Sequence, residues 1–259
     1  MAVGRAISVR VASVDEKHAR AAALRADGSL RDLAAEVAPV SLAAEQVLPL
    51  PRPLDELVPE AGLRRGWTVA VEGVAATSLA LALAAEATST GSWVAFVGAP
   101  EVGMLAAAEL GVDLARSLVV RLDDARHWSE ATAALLGAVD LIVTRPPSGV
   151  RQRDVRRLAA RARERGTVLV RLPGGDEVMT VDRRFRGTSP SWVGLTPGRG
   201  RLVARRLRVD RGDRSGGGST RSVDVWLPGP SGRLAPVEEP GVESTGRAAS
   251  RRPVLRTVS

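Results

Sequence analysis

Five apolar runs, separated by four stretches with helical spacing, decide what the middle of this chain can fold into. Trp67 to Glu72, Trp93 to Val97, Ser117 to Leu122, Val139 to Val143 and Thr167 to Arg171 read as strands. Thr77 to Ala87, Val102 to Leu110, His127 to Leu136 and Arg151 to Arg165 read as the helices between them. Strands alternating with helices of roughly ten residues imply βαβ units and a parallel sheet. The strands are continuously apolar rather than alternating, as expected when helices cover both faces. The rhythm then changes. Trp192 to Leu195, Leu202 to Val209 and Ser222 to Leu227 are strand candidates with no helix between them, and Asp213 to Thr220, with Gly216, Gly217 and Gly218, reads as a hairpin loop. An α/β fold follows, with a mostly parallel sheet flanked by helices and extended by antiparallel C-terminal strands.

The two ends read differently. Val14 to Ala26 predicts a helix with Asp15 and Glu16 near its start, and Leu30 to Val37 a further turn or two. Pro39 to Pro53 reads as a linker, because its prolines interrupt regular structure. From Pro228 onward Pro, Gly, Ser and Arg dominate without periodicity, which predicts a disordered tail. The expected division is residues 1–53 as N-terminal helix and linker, 54–227 as core and 228–259 as basic tail.

Composition removes several function classes. With no Cys there is no disulfide, thiolate metal site or thiol nucleophile. Leu79 to Ala85 is too short an apolar run to span a bilayer, and the N-terminus lacks a signal sequence; the chain reads as cytoplasmic with no membrane partner. The net charge is +8, and the excess lies at the C-terminal end: from Arg199 onward there are 13 arginines and 6 acids. Such a segment attracts nucleic acid or an acidic partner. The alternative meaning is arginine used for solubility by a GC-rich genome.

A resemblance sharpens this. Leu54-Asp55-Glu56-Leu57 and Gly62-Leu63-Arg64-Arg65-Gly66 resemble the turns that precede the first strand of the RecA-type ATPases. Thr77-Ser78-Leu79-Ala80-Leu81 resembles the helix after that family's phosphate loop. Ala106 to Leu114 and Ser117 to Val120 resemble its second helix and third strand. The likeness runs from about Leu54 to Trp226 and is nearest to the actinobacterial ImuA-type proteins, RecA-like accessory factors of the inducible mutasome. What it implies is a role in error-prone translesion synthesis with a Y-family polymerase-like subunit as partner.

The nucleotide machinery departs from that pattern. A working phosphate loop reads G-x-x-x-x-G-K-[ST]: backbone amides wrap the phosphates, the Lys neutralises them and the hydroxyl holds Mg²⁺. Here Gly73-Val74-Ala75-Ala76-Thr77-Ser78 lacks the second Gly and the Lys, and is too short. Thr77 and Ser78 read as the helix N-cap rather than as a metal-binding hydroxyl. The strand that should end in a metal-ordering Asp reads Leu141 to Thr144 followed by Arg145, with Asp140 at its other end. Pro100 stands where the family's catalytic Glu is expected, and Glu101 is one step beyond. The expectation is a protein without ATPase activity, cofactor or metal. A functioning ATPase with an unusual loop is the alternative.

Asp123, Asp124 and His127 cluster after the third strand but read as a helix start, since no further His is near and His18 lies far off in sequence. The arginines Arg153, Arg156, Arg157 and Arg161 share the polar faces of one helix. Arg183, Arg184 and Arg186 surround Phe185 in what reads as a loop. Both sets are candidates for DNA or partner binding, with Phe185 stacking on a base in the sharper reading and tucked into the core in the plainer one.

Overall fold

The computed structural model describes residues 7–11, 22–24, 47–59, 62–122, 124–174, 180–196, 199–213 and 221–237. Its main sheet has eleven strands. The parallel centre is β5 (Thr68–Gly73), β6 (Val94–Val97), β7 (Ser117–Arg121), β8 (Leu141–Thr144) and β9 (Val168–Arg171), joined by β10 (Arg183–Thr196). Four α-helices connect them: α1 (Ala76–Ser89), α2 (Met104–Glu109), α3 (Trp128–Leu135) and α4 (Gln152–Arg165). Across the sheet the centre runs β10, β5, β9, β8, β6, β7, all parallel. β11 (Arg199–Asp213), β12 (Arg221–Trp226) and β13 (Ala235–Pro236) extend one edge antiparallel. β1 (Ile7–Val11) and β2 (Ala22–Leu24) extend the other.

The layering follows from side-chain chemistry. β6, β8 and β9 are buried along their whole length, so each needs a cover on both faces. One cover is α1, which is apolar almost all round and buries Leu79 through Ala84. It packs with Val69, Val71 and Phe96. The other cover is α3 with α4, packed on Ala95, Ile142 and Leu169. α4 is amphipathic: Val155, Leu158, Ala159 and Ala162 face the core while its arginines stay in water. It stops at Gly166, whose left-handed backbone (φ 71) bonds back to Ala162.

Several expectations are corrected at the ends of the chain. Ala22 to Leu24 is strand, not part of a helix over Val14 to Ala26, because pairing with the β-branched run of β1 overrides the weak helical preference of so short a segment. Residues 12–21 and the segment Leu30 to Val37 lie outside the described residues. The proline-rich stretch is not a linker from 47 onward: β3 (Val47–Pro49) pairs with β4 (Gly62–Arg64), and Leu48, Leu50 and Leu54 are buried. Prolines between leucines stop regular hydrogen bonding without preventing the leucines from packing. Nor is the tail structureless from 228: β13 pairs with β12 before residue 238, where the description ends.

Among the described residues no helix is long and apolar enough to cross a membrane.

Candidate functional site

In a parallel sheet ligands bind at the carboxyl ends of the strands, so the turn after β5 is the first place to look. β5 ends at Gly73 (φ 72), and α1 begins three residues later at Ala76. The N-cap is Ala75, in a left-handed conformation (φ 66) with no side-chain cap. Thr77 and Ser78 therefore lie inside the first helical turn, which corrects the expectation that one of them caps it. The two-residue connection leaves no length for a cap further upstream.

One side of this turn is held by β10, while Gly73 and Val74 themselves stay exposed. Its ladder with β5 runs to the pair Gly187–Gly73. There the Val74 amide donates to the Gly187 carbonyl (2.9 Å), so the first amide after the strand is already bonded. A Cβ on Gly73 would overlap the Gly187 carbonyl oxygen, and a Cβ on Gly187 would overlap the Val74 carbonyl oxygen. Two glycines at one register let the chains approach this closely. Sequence reasoning did not use Gly187, and no local signal marks it, because its partner Gly73 lies more than a hundred residues earlier.

The cation nearest the α1 N-terminus is Arg205, from β11. Its Nε donates to the Leu227 carbonyl (2.7 Å) and its Nη2 to Ser78 Oγ (3.2 Å). Burial holds its pKa below the ordinary arginine value. It is thus fixed in place as a structural clamp between α1 and the turn after β12.

The other two catalytic positions meet each other. Arg145, after β8, forms an ion pair with Glu101 (2.6 Å). Glu101, one step beyond the expected position of a general base, is therefore bonded to the residue that stands in place of the metal-ordering Asp. Asp140 is fully buried at the amino end of β8, the opposite end from Arg145, where it accepts from Arg65 (2.6 Å) and from the Trp93 amide (2.9 Å). Asp140→Ala is expected to cost about 3 kcal/mol by removing the buried acceptor shared by Arg65 and the Trp93 amide, read from urea denaturation; a wild-type midpoint would show that the pair contributes nothing.

The arginine cluster is also placed differently from the expectation. Arg183 to Arg186 is strand rather than loop, and Phe185 is buried at 1% exposure, so it cannot stack on a base. Glu72 gathers three guanidinium groups: Arg171 (2.9 Å), Arg184 (2.8 Å) and Arg186 (3.0 Å). The register dictates this, since Arg186 lies across from Glu72 and Ala70 lies between Arg184 and Arg171. Burial alone would raise the Glu72 pKa, but hydrogen bonds from Arg186 and Arg184 outweigh it and hold the carboxyl below its ordinary value. Arg183 turns the other way and stacks on Trp67 (4.3 Å). The sequence reading missed Glu72 and Arg171 because neither belongs to a motif.

A cleft of about 460 Å³ opens at the carboxyl ends of β6 and β7, lined by Phe96, Pro100, Leu122, Trp128 and Arg145 among others. Trp128 Nε1 donates to Thr144 Oγ1 (2.7 Å), which donates to the Val97 carbonyl (2.9 Å), so these polar atoms serve the wall. Asp124 caps the turn over residues 125–127 and pairs with Arg126 (2.7 Å), which holds its carboxyl down at about 2. Asp123 lies outside the described residues. Among the described residues no three His, Asp or Glu side chains converge as a metal would require.

Residues 56–176 match the family described as the MT3502 N-terminal domain. The uncharacterized protein Rv3395c of Mycobacterium tuberculosis is 32% identical over 183 residues, which cover 66% of this chain and 86% of that protein. The chain belongs to the MT3502 family. Among solved structures, that of the RadB recombinase is similar at a TM-score of 0.50 and 16% identity, covering 72% of this chain and 97% of that one. The MT3502-family chain therefore has a RecA-like fold. The match to the family spans the turn after β5 and the Glu101–Arg145 pair. The remaining predicted residues of this MT3502-family protein, Arg153, Arg156, Arg157 and Arg161, are all exposed along α4.

Proposed function

We propose that this protein is a non-catalytic RecA-like accessory factor of DNA-damage tolerance, of the ImuA type, acting by binding partners. The observation that carries the reading is the turn after β5, two residues long, where the Gly187 carbonyl takes the Val74 amide. A triphosphate needs a longer loop of amides wrapped around it, and it needs a lysine the chain does not place there. The Glu101–Arg145 pair supports the same reading, because a carboxylate held by a guanidinium is a poor base for water. What remains is a rigid α/β body with a strongly basic surface, which suits a binding role. The partner implied by the ImuA likeness is a Y-family polymerase-like subunit.

Purified protein with ATP and Mg²⁺ is expected to hydrolyse nothing above a protein-free blank. Activity above the blank that disappears in the Thr77→Ala/Ser78→Ala variant would restore the ATPase reading. Co-purification with a Y-family polymerase-like protein from the same source is expected to recover a complex, and its absence would count against the mutasome assignment.

A second reading is binding of single-stranded DNA, favoured by the exposed arginines of α4. It requires that affinity fall steeply with salt, and that Arg156→Ala/Arg157→Ala make the fall shallower. A failure to bind at low salt removes it.

A further inference from the structure

Beyond Gly187, β10 leaves β5, and β11 joins the β12 ladder only at Arg206. The segments between pair with each other and form an arm that reaches past the sheet. The arm carries apolar side chains in water: Trp192, Val193, Leu195 (62% exposed), Leu202 and Val203. Two further large apolar residues are exposed elsewhere among the described residues, Val74 and Leu105. At the base of the arm is a groove of about 430 Å³. Arg201, Leu202 and Val203 line it together with Ala106, Glu109 and Leu110. Leu105, 75% exposed, is the neighbour of Ala106. The strand pleat sends neighbours such as Leu202 and Val203 to opposite faces of the arm, so apolar side chains stand exposed on both, and such side chains beside a groove mark an interaction site.

We infer that the β10–β11 arm and the groove at its base dock an acidic, apolar segment of a partner protein. The inference rests on the partner-binding reading above and gives it a surface. Charge selects the occupant. From Thr188 to Arg205 the arm has three arginines and no acid, while Glu109 is the acid that lines the groove. A second copy of this chain would bring the same positive arm and be repelled. The side chains distinguish protein from nucleic acid: Val193, Leu195, Leu202 and Val203 have no π-face on which a base could stack. Trp192 does, but Arg205 lies over its ring at 5.0 Å. Leucine and valine are matched by apolar side chains of a partner. The arm strands beyond their ladders also offer backbone groups to an added strand, with apolar side chains on alternate positions filling the groove.

The test uses the full chain and a fluorescein-labelled nine-residue peptide alternating Leu and Glu. Anisotropy is expected to show saturable binding, weakened at least tenfold by Leu195→Glu/Leu202→Glu and also by Arg201→Glu. The matched Leu/Lys peptide is expected not to bind. Because the substituted side chains are exposed, thermal melts are expected to match the wild type, which separates lost docking from lost fold. Absence of saturable binding, or binding that both variants retain, overturns the inference. So does a 20-residue oligothymidylate that binds more tightly than the peptide and is lost with Trp192→Ala, since the arm would then be a nucleic-acid surface. The same variants in the polymerase-subunit assay keep the two readings apart: a complex that survives them leaves the proposed function standing and removes the arm.

Discussion

Gly187→Ala is expected to destabilise the protein by about 3 kcal/mol, the upper range for forcing atoms into a packed site. The added methyl has nowhere to go. Its carbon would overlap the Val74 carbonyl oxygen and press on a Leu207 methyl carbon (3.2 Å). The backbone oxygen cannot rotate away, because Val74 is fixed by its own bond to Gly187. Relief requires β10 to move off β5, and that breaks the ladder at its last pair. Gly212→Ala is the control: it lies on the neighbouring strand, and its Cβ would meet the Arg184 Cβ at an ordinary 3.8 Å. Its melting temperature is expected to stay within a few degrees of the wild type. Equal melting of the two variants would mean that β10 is not seated against the turn after β5, and the account of that turn would fall with it.

Glu72→Gln is expected to cost a similar amount, about 3 kcal/mol, by leaving the buried Arg171 guanidinium without its acid. Arg171 is the most affected, being 2% exposed. The pH dependence follows from the direction of the shift. In the folded protein the Glu72 carboxyl titrates below its ordinary value. Its contribution is therefore complete above about pH 4.3, the ordinary glutamate value, and is lost as the pH falls through the lower folded value. Urea denaturation between pH 7 and pH 3 is expected to bring the wild type down towards the variant as the pH falls. A constant gap between the two at every pH would show that ionised Glu72 is not what holds the arginines.

The parallel core was legible in the sequence because each of its strands is a local apolar run and each helix a local periodic one. The nine elements from the β5 strand to the β9 strand appear within a few residues of their expected places. The loss of the phosphate-loop pattern was legible for the same reason: a loop six residues long with no lysine is a local fact. Arg183 to Arg186 was misjudged because its strand is held by β5, more than a hundred residues earlier, and not by its own pattern. The proline-rich stretch from Val47 was misjudged because its leucines pack under α1 and its prolines disguise them.

The chain alone determined that a parallel α/β body forms and that the lysine and second glycine of a phosphate loop are missing from it, since both depend only on residues adjacent in sequence. Tertiary structure alone decided that Gly187 bonds the turn after β5, that Glu101 and Arg145 pair, and that Leu195 and Leu202 stand in water on an arm. Each of these is a contact, or the lack of one, between segments far apart in the chain, and the distance between such segments is set by how the strands line up in the sheet.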